Sequence, residues 1–266
     1  MKYSLSFFKN FSSETPFIID ENIINSLITI NNNLNNNKLE LKTGPHTYKF
    51  KPAKYIHAQR EIKEDPVIEI KSNLNKLTSN NMITIASNIL HLINEETNEI
   101  IFDICYKNKF LSKVFSELII IISEKNTMFG PFVRNKFQCI YDMFENIKYV
   151  PDTNYNEYCD NVKDTENRIS FCCLFAHLSL NNFIEMSQIE HFISYLLEKV
   201  DNMIDEDDKK NDIDEILDVV FIVSDIIKII PSHKIIKTIS SSNNKSFKSL
   251  TSKSIFKCMD ILDINK

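Results

Sequence analysis

Apolar residues recur at helical spacing along most of the chain. Met82, Ala86, Ile89, Leu90 and Ile93 fall on one stripe, and Ile189, Phe192, Ile193, Leu196, Leu197 and Val200 on a second. Ile213, Ile216, Leu217, Val220, Val223, Ile227 and Ile230 form a third, closed by Pro231. Positions i, i+3, i+4 and i+7 share one face of an α-helix, so each stripe predicts an amphipathic helix turned toward a core. The same pattern, less complete, predicts helices near 97–106, 111–124, 130–147, 167–181, 233–241 and 250–262. Pro66 after Asp65 suits a helix start, because a missing N–H costs nothing in a first turn.

Upstream of Pro66 the pattern changes. Residues 1–30 are moderately apolar, with Phe7, Phe8, Phe11 and Phe17. Residues 31–66 hold an Asn-rich run at 31–37 and the breaks Gly44-Pro45, Lys51-Pro52 and Asp65-Pro66, which mark a flexible arm or linker. The expected division is therefore 1–30, a linker over 31–66, and a helical domain over 67–266. In that domain about ten helices would form antiparallel pairs of roughly 35–45 residues, the period of HEAT-like hairpins. One hairpin cannot bury both of its apolar stripes, whereas stacked hairpins share a continuous core. The expected fold is all-α: a HEAT-like solenoid of about five pairs after an extended N-terminal arm with a short helix. The acidic run Asp205-Glu206-Asp207-Asp208 before Lys209-Lys210 reads as a solvated loop between helices.

Composition narrows the chemistry. Two glycines in 266 residues, Gly44 and Gly130, argue against phosphate-cradling loops and hairpin-rich folds. A net charge of −5 removes the general attraction that a dedicated nucleic-acid binder exerts on phosphates. Cysteines at 105, 139, 159, 172, 173 and 258 form no CxxC pair and read as reduced, mostly buried thiols of a cytoplasmic protein. No HExxH, Walker loop, nucleophile elbow or dinucleotide fingerprint occurs, and the histidines lack paired-ligand spacing. The expectation is a non-enzyme with no cofactor and no metal. The apolar run from Leu118 to Ile122 is too short to span a bilayer, so no membrane partner is expected.

Several segments, in order, resemble the middle domain of eukaryotic translation initiation factor 4G. Asn73-Leu74-Asn75-Lys76-Leu77-Thr78 looks like that family's opening LNKLT, and Ile100-Ile101-Phe102-Asp103 with Asn108-Lys109-Phe110 resembles its LIFEKA…EPNF helix and turn. Residues 167–175 are similar to NIKFIGELF, 215–230 to ESLECLCRLLTTIG, and 252–263 to SSRIRFMLQDVLDL. Cys172 stands where the family has a small glycine, and the family's basic loop is shortened here to about Tyr149–Asp164. At the N-terminus Tyr3, Phe7, Phe8 and Phe11 align with the peptide YDREFLLGF that binds the cap-binding protein, with Lys9 at a position the motif keeps apolar. Spacing i, i+4, i+5, i+8 puts the four aromatics on one helix face, for a partner's groove or for the protein's own helices.

The resemblance implies a HEAT-repeat scaffold for translation initiation rather than a catalyst. Tyr3, Phe7, Phe8 and Phe11 would contact an initiation factor 4E-type cap-binding protein. Asn108, Lys109 and Phe110 would contact an initiation factor 4A-type RNA helicase, unless Phe110 is the first buried residue of the next helix. Lys49, Lys51, Lys54, Arg60 and Lys63, interleaved with aromatics, make the arm either a weak mRNA contact or a solvated linker. Middle domains of this kind also serve nuclear cap binding, splicing and mRNA decay, and a decoy that inhibits initiation factors is a further alternative.

Overall fold

The computed structural model describes residues 25–26, 65–151 and 153–265. The chain divides into two units, Met1–Arg60 and Glu61–Lys266, and the helices below belong to the second. Helix α1 (Pro66–Leu74) begins as the sequence expects: Pro66 occupies its first turn and the Asp65 carboxylate accepts from Val67 N–H at 3.0 Å. It buries Ile70 and Leu74, one turn apart. Asn81 knits the following turn by accepting from Thr78 N–H and donating to the Lys76 carbonyl, both at 2.7 Å. Helix α2 (Met82–Ile89) then buries Met82, Ile85, Ala86 and Ile89. Leu90 and Ile93, expected to extend that stripe, lie instead in and just after a 3-10 turn, Leu90–Leu92.

Helix α3 (Glu95–Tyr106) opens with a reciprocal capping box between Asn94 and Thr97 and carries Glu95 and Glu96 in its first turn, where the helix dipole favours anions. Helix α4 (Ser112–Lys125) buries Phe115, Leu118, Ile119 and Ile122. The single helix expected over 130–147 is two: α5 (Phe129–Lys136) and α6 (Cys139–Glu145). Between them Phe137, Gln138 and Ile140 N–H each bond the carbonyl three residues back, which tightens the chain and turns both Phe137 and Ile140 inward.

Helix α7 (Tyr155–Leu180) corrects a second boundary. The sequence places a loop over 149–164 and a helix from 167, yet the helix begins at Tyr155. Residues 155–167 bury nothing fully: Tyr155, Tyr158 and Val162 recur at i, i+3 and i+7, but that face stays largely exposed. From Arg168 to Ser179 the helix is buried nearly all round, and at 26 residues it is about 39 Å long. It packs against α3, α4 and α6 on one side of the sequence and α8 and α9 on the other. Arg168 Nε meets Glu215 Oε1 at 2.6 Å, both side chains about a tenth exposed, and Thr165 Oγ1 donates to the same carboxylate at 3.2 Å. This pair joins α7 to α9.

Helices α8 (Met186–Met203) and α9 (Lys210–Ile227) carry the two longest stripes as expected, and the acidic run at 205–208 is an exposed turn between them. Helix α9 ends on Lys228 in the left-handed region, φ 56°, with Ile229 N–H reaching back to the Ser224 carbonyl. The sequence had carried that stripe on to Ile230. Helices α10 (Lys234–Ser240) and α11 (Ser252–Leu262) complete the chain, capped by His233 and Thr251. All described elements are helical, without a strand among the described residues. Helix α1 packs on α3, α2 on α4, α7 on α9, α8 on α10 and α9 on α11, around one apolar cluster running from Ile70 to Ile261. No helix among the described residues is long and apolar enough to cross a membrane.

Candidate functional site

The turn between α3 and α4 is the sequence-predicted site that the structure places in full. Helix α3 ends at Tyr106, and Lys107 stands at its negative dipole end, paired with Asp103 at 2.8 Å one turn earlier. That hydrogen bond raises the Lys107 pKa. Asn108 is extended, and its side-chain oxygen and carbonyl both accept from Leu111 N–H at 3.3 and 3.2 Å. The chain is thereby drawn into a single 3-10 turn, Lys109–Leu111, before α4 begins.

The turn commits one apolar residue to the interior and leaves the other outside. Leu111 packs on the core, whereas Phe110 is 95% exposed, more than any other large apolar residue described. The sequence had left both placements of Phe110 open; the structure places it on the surface. Beside it lies a cleft of about 400 Å³ formed by the turn with Lys163, Glu166 and Asn167 of α7. Lys163 is held by Asp160 at 3.0 Å, whereas Lys109 makes no ion pair among the described residues. Lys107 and Lys163 are each paired with an aspartate, which leaves Lys109 and Glu166 as the remaining charges and the cleft close to neutral. Lys109 also opposes, without cancelling, the effect of burial that pushes the Cys173 thiol up to about 11. The arrangement offers an exposed aromatic knob beside one lysine without an ion pair, a combination that suits a protein contact.

Lys163 and Glu166 were missed from the sequence because they lie about 55 residues away, in the segment taken for a loop. Their only signal was the i, i+3 pair of Asp160 and Lys163. The remaining predicted contacts, Tyr3, Phe7, Phe8 and Phe11 and the basic set Lys49, Lys51, Lys54, Arg60 and Lys63, lie outside the described residues. Among the described residues no cluster of His, Cys, Asp or Glu has the geometry to hold a metal ion. The cysteines described are free thiols: Cys105, Cys172, Cys173 and Cys258 buried, Cys159 partly so and Cys139 exposed. His91 is exposed and His177 half-buried. Comparison with protein-family models, with curated proteins and with solved structures finds no match for this chain.

Proposed function

We propose that this protein is a non-catalytic translation-initiation scaffold of the initiation factor 4G type, acting in the cytoplasm. Its helical unit holds an initiation factor 4A-type RNA helicase, and the Tyr3–Phe11 segment holds an initiation factor 4E-type cap-binding protein. The observation that carries the helicase contact is Phe110. It follows the segment that resembles the family's helix and turn, and it stands almost fully exposed on a side-chain-capped turn. An exposed phenylalanine stabilises nothing in the free protein, and aromatic residues of this kind are the usual anchors of interfaces.

The stacking of α1 on α3 and α2 on α4, continued through α7, α9 and α11, supports a HEAT-like arrangement of hairpins. In such an arrangement the inter-helix turns line up along an edge, and a long partner can engage several of them. A scaffold that touches both lobes of a helicase shifts its open and closed forms only by its differential affinity for them. The basic arm between Lys38 and Lys63 would add a weak mRNA contact near the helicase.

The test is the ATPase activity of an initiation factor 4A-type helicase with RNA, titrated with the full chain. The scaffold raises turnover in a saturable way, and Phe110→Ala abolishes most of that rise. Unchanged turnover, or a rise that Phe110→Ala leaves intact, contradicts the assignment. Lowered turnover identifies a decoy.

A further inference from the structure

Phe110 has almost no packing of its own, so only the backbone beneath it fixes where the ring stands. That backbone is anchored on both sides. Upstream, Tyr106 at the end of α3 packs against Phe102 and Phe171, with ring centroids 5.4 and 5.3 Å apart. Downstream, Leu111 packs on the core, and α4 begins at once with the buried residues Ser112 and Phe115. Between these anchors Lys107, Asn108, Lys109 and Phe110 are all exposed.

One side chain closes this exposed stretch. Asn108 Oδ1 accepts from Leu111 N–H at 3.3 Å, and the Asn108 carbonyl accepts from the same N–H at 3.2 Å. Among the described residues no other side chain hydrogen-bonds the backbone of residues 107–112. The Asn108 oxygen faces inward on the turn, so only its Nδ2–H groups remain for a partner. An asparagine oxygen bound in this way holds a turn that the backbone would otherwise sample among others. A loosened turn lets the Phe110 ring point in many directions. Binding then selects the fraction that points correctly, and apparent affinity falls by that fraction.

We propose that Asn108 is a positioning residue: its side-chain oxygen holds the turn that presents Phe110, and it acts on the partner through Phe110. This role rests on the reading that Phe110 anchors the helicase. It differs from the direct contact that the resemblance implies for Asn108.

The two roles separate by chemistry and by coupling. Asn108→Ala removes both the oxygen and the amide donor, whereas Asn108→Asp and Asn108→Ser keep a capping oxygen and lose the amide donor. Calorimetry with an initiation factor 4A-type helicase compares the full chain, these three variants, Phe110→Ala and the double variant N108A/F110A. Asn108→Ala should bind about three- to tenfold more weakly than the wild type. Asn108→Asp and Asn108→Ser should bind within about twofold of it. The double variant should bind no more weakly than Phe110→Ala, because a residue that acts through Phe110 then has nothing to act on. In the free protein, NMR should show faster exchange of the Leu111 amide in Asn108→Ala alone. Should Asn108→Ala fail to fold, Asn108→Asp still decides, since its weaker binding marks a lost donor contact. Wild-type affinity in a folded Asn108→Ala, a further loss in the double variant, or weak binding by both capping variants overturns the positioning role and leaves the helicase contact standing. A wild-type chain that binds no helicase, or an equal affinity for Phe110→Ala, overturns both.

Discussion

At Phe110 the contribution to the fold and the proposed contribution to a partner can be measured apart. With 95% of its surface in solvent, its truncation removes almost no buried area. Phe110→Ala should change the free energy of unfolding by less than about 0.5 kcal/mol, while helicase binding weakens by about 1–3 kcal/mol; urea titration and calorimetry read the two separately. The cysteines give a second residue-level test. Burial pushes Cys258 up to about 12 and Cys173 to about 11, and raises Cys105 and Cys172 as well. A disulfide-exchange reagent at neutral pH should therefore modify Cys139 first and Cys159 more slowly. The four buried thiols should react only after unfolding. His177 supplies a pH dependence. Burial, reinforced by Lys113 and opposed by Glu117, lowers its pKa from 6.5. The unfolded chain then binds a proton that the native state resists, so stability falls as pH drops below about 6.5. His177→Gln should flatten that fall in melting temperature between pH 7 and 5.

At the scale of elements, α7 decides how the molecule holds together, and its attachment to α9 runs through a desolvated ion pair. Arg168→Met strands the Glu215 carboxylate, with only Thr165 left as a donor, and should cost about 3–5 kcal/mol. Adding Glu215→Leu should recover a large part of the loss, because two packed apolar side chains replace a pair that was costly to desolvate. Chemical denaturation of the single and double variants checks this. The end of α9 carries a smaller strain. Lys228 adopts φ 56°, a region that disfavours a residue with a Cβ, so Lys228→Gly should stabilise by up to about 1 kcal/mol. Its 2.6 Å pair with Asp225 is about half exposed and offsets little of that gain. The elements legible in the sequence are those with one wet and one dry face, above all α8 and α9. The first three turns of α7 were hard to read because their one short stripe, Tyr155, Tyr158 and Val162, stays exposed among polar residues. The split of α5 from α6 was illegible because it follows from the shared burial of Phe137 and Ile140, which only the packed structure brings together.

At the largest scale, the all-helical architecture of the described residues followed from periodicity and the scarcity of glycine. The functional surfaces were harder to read. Phe110 could be placed from its sequence either on a turn or at the head of a buried helix, and the deciding event is the Asn108 cap that turns Leu111 inward. Lys163 and Glu166 reach the same cleft through tertiary packing of α7 against the turn. An exposed aromatic turn on a helical unit suits a protein whose proposed work is to hold a partner. The central claim is that one of those partners is an initiation factor 4A-type RNA helicase. Isothermal calorimetry of the full chain with that helicase, beside a Phe110→Ala variant of unchanged melting temperature, tests it most directly. Saturable binding that the variant weakens by roughly five- to a hundredfold is the predicted result; no heat of binding from the folded wild-type chain, or equal affinity for the variant, would contradict it.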